Sequence, residues 1–184
     1  MKNRRCVDCG VFVSLFTVAQ GTGGVVASET GLVEVFTPFA GLSRETMAER
    51  IAGFYPGARS DSELTTRAAD LLGRYFAGER VIFDLPLDLS WCTAFQRLVY
   101  EAVALIPYGE VRSYAGVAAG IGRERAARGV GATMARNPLP IVIPCHRVVG
   151  VAGALTGYSA PGGINSKKML LELENWSGKI GAGA

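Results

Sequence analysis

The sequence predicts an α+β fold in two parts: a small β-sheet with helices over residues 1–88, then a mostly helical part over 89–176 and a mobile tail, 177–184. Three observations carry this. Short β-branched and aromatic runs separated by glycine-rich turns fill the first 36 residues. Apolar residues then recur at helical spacing behind capping boxes. The charge changes sign near residue 88, with 9 basic and 11 acidic side chains before it and 10 basic and 5 acidic after it.

In chain order, Val11 to Ala19, Val25 to Ser28 and Leu32 to Phe36 read as strands, punctuated by Gly21 to Gly24 and Glu29-Thr30-Gly31. Lys2, Arg4 and Arg5 before an apolar run loosely imitate a secretory signal. Cys6, Asp8, Cys9 and Gly10 interrupt that pattern, no small-residue cleavage site follows, and a hairpin explains the run better. Ser60-x-x-Glu63 has capping-box form and opens a helix with Leu64, Ala68, Leu71, Leu72 and Tyr75 on one face, ended by Gly78. Residues 81–92 contain Pro86 and little periodicity, which marks the boundary between the two parts.

Thr93-x-x-Gln96 is a second capping box, and Phe95, Leu98, Val99, Ala102 and Ile106 line one face of a helix stopped at Pro107. A short helix from Ser113 to Ala119, the turn Gly120-Ile121-Gly122 and a helix from about Glu124 to Ala135 have helix-turn-helix spacing. In the second of these, Arg125 and Arg128 fall three apart on one face. Ala126, Ala127, Gly129, Gly131, Ala132 and Ala135 surround them and suit either close helix packing or close approach to a target. Asn137-Pro138-Leu139-Pro140 breaks the helix, and Ile141 to Ile143 reads as a buried strand delivering Pro144 and Cys145-His146-Arg147. Gly150 to Gly157 reads as a hairpin, Tyr158 to Gly163 as a loop, and Asn165 as the cap of a last helix with Met169, Leu173 and Trp176 on one face.

Composition narrows the function. The net charge is +3, with 49% hydrophobic and 19% charged residues, an ordinary globular balance. Four cysteines in 184 residues are too few for a disulfide scaffold, which points to a reducing, cytoplasmic setting. No run approaches the roughly 18 apolar residues of a membrane span. Six arginines and only one acid, Glu124, lie between Arg112 and Arg147, which suits a polyanion. Arginine in particular suits planar or phosphate recognition.

His146 is the only histidine, which removes most metal schemes. Cys6-x-x-Cys9 supplies two ligands with no second pair, and Cys92 beside Trp91 reads as a packing thiol. Cys145 differs, because a thiol with a pKa of about 8.5 becomes a nucleophile only with help from a base or a positive charge, and His146 and Arg147 adjoin it. Neighbours on a strand point to opposite faces, so Cys145 and His146 should not touch unless the chain bends after Pro144 or a water bridges them, and a relay is expected. The imidazole needs an acceptor behind it, for which Glu172 and Glu174 are the late carboxylates.

Pro144-Cys145-His146-Arg147-Val148-Val149 resembles the active-site signature of the O6-alkylguanine-DNA alkyltransferases, the methylated-DNA:protein-cysteine methyltransferases. The likeness extends to Thr93-x-Phe95-Gln96, Ile106-Pro107-Tyr108-Gly109-Glu110-Val111, Ser113-Tyr114, Ala127-Arg128-Gly129-Val130-Gly131-Ala132, Asn137-Pro138, Gly157-Tyr158-Ser159, and Lys167 with Leu170, Leu171 and Glu174. It covers residues 81–175; the first 80 fit the family's variable sheet domain in outline. The fold it implies is ribonuclease H-like in the first part and winged helix-turn-helix-like in the second.

The resemblance implies Cys145 as alkyl acceptor, His146 as the base reached through water, Glu174 as the acid orienting that histidine, and Asn137 as the residue holding the turn before the cysteine. It implies Arg128 as the finger that fills the gap left by a flipped guanine, and Tyr114 as the residue that crowds the phosphate and donates to guanine N3. Ser113, Arg125, Ala127 and Arg136 complete the DNA-facing set. Val148, Tyr158, Ser159 and Arg147 fall to the base pocket, with the Cys145 and Val148 carbonyls accepting from the guanine amino group and Ser159 donating to O6. The partner implied is double-stranded DNA carrying O6-alkylguanine, with O4-alkylthymine a further candidate, bound by a monomer through the minor groove with no membrane involved. No cofactor or metal is expected, since the zinc site of some members needs histidines absent here. Ala160-Pro161 makes the loop between Tyr158-Ser159 and Gly162-Gly163 two residues longer than the usual Tyr-Ser-Gly-Gly. Two competing readings remain: a Cys-His-Glu hydrolase, which would turn over and need an oxyanion hole, and a non-catalytic lesion-binding DNA module.

Overall fold

The computed structural model describes residues 10–178, so Cys6, Cys9 and the end of the tail lie outside the described residues. The chain divides into two compact units between Trp91 and Cys92.

The first unit is built on a three-stranded antiparallel sheet in the order β1 (Phe12–Val18), β2 (Gly21–Ala27), β3 (Leu32–Phe36). The expected hairpin is present, with Phe12 opposite Ala27 and Val18 opposite Gly21. Its turn is shorter than expected, because Gly21 to Gly24 belong to β2. The reason is steric: a Cβ on Gly23 would lie 2.3 Å from the Phe16 ring, and one on Gly24 2.3 Å from Ile51. Glycine here makes room for neighbours on the sheet.

Helix α1 (Arg44–Phe54), which the periodicity did not reveal, places only Met47 and Ile51 in the core. They join Val11, Val26, Val33, Phe36 and Tyr55 in one cluster. Helix α2 (Glu63–Phe76) starts two residues later than the expected cap, at Ser62, and its box closes with Thr65. Thr65 wins because it is buried against the sheet, where Ser14 donates to its hydroxyl at 2.9 Å. Residues 86–88, read from sequence as a featureless connection, pair with β3 through Leu32 N–H to Pro86 O (2.8 Å) and Asp88 N–H to Leu32 O (2.9 Å).

In the second unit α3 (Ala94–Ala104) begins at the expected Thr93–Gln96 box. Its buried face is Val99, Tyr100 and Val103, continued by Ile106, rather than one that includes Leu98, which is exposed. Strand β4 (Arg112–Ser113) pairs in parallel with β5 (Val148–Val149), and α4 (Tyr114–Gly120) packs against α5 (Ala127–Met134). Residues 141–143 are a tight turn, with Ile141 at φ 77°, and Cys145–Arg147 form one turn of 3-10 helix. Val151–Gly153 form another such turn where a hairpin was expected. Helix α6 (Gly163–Leu173) has Gly162 as its N-cap, with the expected cap Asn165 inside its first turn, and buries Ser166, Lys167, Leu170 and Leu171, not the Met169–Leu173–Trp176 face. No helix among the described residues is long and apolar enough to cross a membrane.

Candidate active site

The break after α5 presents the cysteine. Asn137 spans the turn: its amide donates to the Ile143 carbonyl at 2.8 Å, and its side-chain oxygen accepts from Leu139 N–H at 3.0 Å. The turn is tightened by Ile143 N–H to Leu139 O at 2.7 Å. Cys145 follows at the head of the 3-10 turn, so it and His146 do not alternate as strand neighbours would, and the geometric premise for the relay is replaced by a bend after Pro144.

Behind the turn lies a buried charged cluster. His146 Nε2 is 2.7 Å from Glu174 Oε1. Arg147 grips the same carboxylate in bidentate fashion, Nε to Oε2 and Nη2 to Oε1, both at 2.9 Å, and donates through Nη1 to the Ile106 carbonyl at 2.6 Å. Gly109 N–H donates to Oε2 at 3.0 Å, and the Tyr108 hydroxyl to the Leu173 carbonyl at 2.9 Å. Glu174, not Glu172, is therefore the acceptor behind the histidine. Arg147, expected at the base pocket, is turned away from it and committed to Glu174.

These contacts set the protonation states. Burial alone would raise the Glu174 carboxyl, but His146 and the Arg147 guanidinium outweigh it and hold it well below the usual carboxylate range. Burial pushes the His146 imidazole down, and the nearby Arg147 and Lys167 cations add to this against the pull of Glu174. A neutral imidazole facing an ionised carboxylate carries its proton on Nε2, which leaves Nδ1 as the basic atom. Burial pushes the Cys145 thiol up, while hydrogen bonding from Asn137, the Lys167 charge and the Tyr158 hydroxyl draw it back.

Cys145 opens onto a cavity of about 390 Å³. Tyr114, Gly131, Met134 and Ala135 line it together with Thr156, Gly157, Tyr158 and Ser159. Val148 and Arg147 are not among the lining residues. Tyr114 donates to the Thr156 carbonyl at 3.2 Å. Burial raises both Tyr114 and Tyr158, the latter well above the ordinary value, so both remain protonated donors at neutral pH.

Lys167 has the strongest claim among residues given no role from the sequence. It is fully buried, donates to the Val148 carbonyl at 2.6 Å, lies 5.9 Å from the Tyr114 ring centroid, and has its pKa lowered by burial to about 8. Helical spacing alone would have placed it opposite Met169–Leu173–Trp176, but a lysine on a core face has no local signature.

Around the cavity, Arg128 is exposed on α5, and Arg136 is exposed beyond its end. Arg125 lies in the turn before α5, which begins at Ala127, so it does not share a helix face with Arg128. The Ser113 hydroxyl is engaged as the N-cap of α4, accepting from Gly116 N–H at 2.8 Å. One of the small residues of α5 serves packing: a Cβ on Gly129 would lie 3.2 Å from the Phe95 ring, whereas at Gly131 a Cβ would meet Tyr114 only at an ordinary 3.8 Å. Among the described residues no cluster of three or more His, Cys, Asp or Glu is placed to hold a metal. A wider groove of about 550 Å³ in the first unit, walled by Arg44, Arg59 and Asp61 among others, contains neither thiol nor imidazole.

Comparison with known proteins gives one answer. Residues 94–176 match the family described as 6-O-methylguanine DNA methyltransferase, DNA binding domain. The chain is 54% identical over 107 residues to the Methylated-DNA--protein-cysteine methyltransferase of Mycobacterium tuberculosis, covering 58% of this chain and 63% of that relative. It is 50% identical over 112 residues to the constitutive protein of that name from Bacillus subtilis, covering 61% and 67%. The crystal structure of the M. tuberculosis O6-methylguanine methyltransferase superposes with a TM-score of 0.70 at 38% identity, over 89% of this chain and 92% of that one. A structure of M. tuberculosis OGT in complex with DNA gives 0.71 at 37% identity, over 92% and 95%. At these identities, and with the fold shared over about nine-tenths of both chains, the chain belongs to the methylated-DNA--protein-cysteine methyltransferase family.

Proposed function

We propose that the protein repairs DNA by direct reversal, moving the alkyl group of O6-alkylguanine irreversibly to Cys145, one group per molecule. The observation that carries this is a buried thiol lining a cavity large enough to admit a base, in the same turn as a neutral imidazole on an ionised glutamate. His146 Nδ1 takes the thiol proton through a water, and Glu174 stabilises the imidazolium. The thiolate attacks the O6-bound carbon, the C–O bond breaks, and its electron pair leaves with guanine, which takes up a proton from a neighbouring donor such as Tyr114. The ammonium of Lys167 favours the thiolate. The product thioether has no acyl carbon for water to attack, so the protein is consumed. The Cys145 carbonyl, which already accepts from Val148 N–H, keeps a second lone pair for the guanine amino group, while the Val148 carbonyl, away from the cavity, serves Lys167. Tyr158 and Ser159 wall the base.

The DNA partner enters with the base flipped, at a cost of about a few kcal/mol in unstacking. Arg128 offsets this by filling the gap, as α5 with its small residues approaches the minor groove and Arg125, Ala127, Arg136 and the Ser113–Tyr114 turn border the backbone. The reading takes the first unit, with its β1-β2-β3 sheet and two helices, as ribonuclease H-like and the second, with its α4–α5 pair, as winged helix-turn-helix-like, in a cytoplasmic monomer. The hydrolase reading has no use for the exposed arginines beside the cavity, and a binding-only module has no use for an activated thiol.

Intact-mass analysis after incubation with an O6-methylguanine duplex tests the reading. The expected result is one methyl group per chain, mapped to Cys145, with no further addition on longer exposure. Methyl groups elsewhere, none at all, or repeated turnover would overturn it. Arg128→Ala is expected to slow transfer from duplex by about tenfold or more while leaving transfer from the free base near wild type, since only the duplex needs unstacking. Equal losses on both substrates would remove the flipping role.

A further inference from the structure

The loop walling the cavity is held at both ends by consecutive side chains of α6. At its start, the Lys167 ammonium lies 3.4 Å from the Thr156 carbonyl. At its end, the hydroxyl of Ser166, a residue only 6% exposed, donates to the Pro161 carbonyl at 2.7 Å. Between these anchors lie Gly157, Tyr158 and Ser159, all lining the cavity.

The second anchor sits on the two residues by which this loop is lengthened. Gly163 N–H donates to the Ala160 carbonyl at 3.0 Å, closing Ala160-Pro161 into a turn. Gly162, at φ 83°, passes so near Ser166 that a Cβ on it would lie 2.1 Å from the hydroxyl oxygen. Any side chain at Gly162 would therefore displace the Ser166 hydroxyl.

We infer that Ser166 is a positioning residue that sets the width of the alkyl pocket, holding the Tyr158-Ser159 wall through Pro161 and so favouring small O6-alkyl groups over bulky ones. This rests on the alkyl-transfer reading. A wall pinned at both ends keeps its donors fixed over a small group, whereas a wall released at one end moves on the nanosecond-to-microsecond scale of free loops. Release costs a methyl adduct its alignment, while a bulky adduct recovers part of that loss as room.

The test combines amide hydrogen exchange with transfer rates from duplexes carrying O6-methylguanine or O6-benzylguanine. Ser166→Ala is expected to speed exchange at residues 157–160 by about fivefold to tenfold, the worth of one neutral hydrogen bond, and leave α3 to α5 unchanged. Methyl transfer falls by a similar factor, and the benzyl-to-methyl rate ratio rises. Adding Ser166→Ala to a chain lacking Ala160-Pro161 changes neither readout further, because the carbonyl it acts through is gone. Unchanged loop exchange, equal losses with both adducts, or full additivity with the deletion would overturn the inference. If the wild-type chain transfers nothing, the function reading falls, and the exchange data still decide whether the clamp exists. Ser166→Cys, nearly isosteric but a weak donor, takes the place of the alanine variant should that variant fail to fold.

Discussion

Glu174→Ala is expected to destabilise the second unit by about 3–5 kcal/mol, the cost of leaving a buried charge without its partner. The carboxylate is 2% exposed and takes both arms of Arg147, the His146 imidazole and the Gly109 N–H, so its loss releases the last helix, the catalytic turn and the Pro107–Gly109 turn together. Any folded fraction should transfer alkyl groups up to about 10⁴-fold more slowly, as for loss of the acid that orients the histidine base and stabilises its imidazolium. Glu174→Gln keeps the shape but turns an amide N–H toward the Arg147 donors, and should fall between the two. Chemical denaturation and single-turnover rates check both.

The pH dependence of stability has a definite direction. The Glu174 carboxyl lies below its ordinary 4.5 in the folded state, so its contribution is whole above about 4.5 and is lost as pH falls toward the lower folded value. The lowered His146 acts in the same direction from its ordinary 6.5 downward, because the unfolded chain takes up a proton that the native state refuses. Glu174→Gln should therefore flatten the acid limb of the stability curve. A limb as steep as in the wild type would mean that other carboxyls carry it.

What the sequence made legible follows from what is local. Thr93 and Gln96 cap a helix through contacts three residues apart, and Leu32 to Phe36 carry their strand preference in their own side chains, so both elements were readable. The Pro-Cys-His-Arg signature and its single histidine located the chemistry. Non-local polar contacts stayed hidden. Arg147 and Glu174 meet across 27 residues, and nothing in their own neighbourhoods shows that the arginine serves the carboxylate instead of the pocket. The last helix buries Ser166 and Lys167 beside Leu170 and Leu171, a face that the Met169–Leu173–Trp176 spacing did not select. The apolar run Ile141 to Ile143 imitated a strand, although Ile141 is held at a positive φ that β-branched residues rarely adopt.

That strained turn is the ground for the second large effect. A non-glycine residue in the left-handed region costs about 1–3 kcal/mol and persists only where its surroundings over-determine it. Here Asn137 supplies the restraint, satisfying the Ile143 carbonyl and the Leu139 N–H, both buried, with the two ends of one amide. Asn137→Ala leaves two buried backbone groups without that partner, at about 1–3 kcal/mol each, and lets the turn relax away from the conformation that delivers Cys145. The thiol also loses a hydrogen bond that draws its pKa down against burial. The expected outcome is a loss of about 2–5 kcal/mol in denaturation, together with an upward shift in the pH midpoint of Cys145 alkylation by a small haloacetamide. Asn137→Asp separates the two effects, since its carboxylate still accepts from Leu139 but faces the Ile143 carbonyl and the thiolate with like charge. It should therefore raise the thiol midpoint further than alanine does. A midpoint that stays put in both variants would show that Asn137 shapes the turn without touching the reactivity of the sulfur.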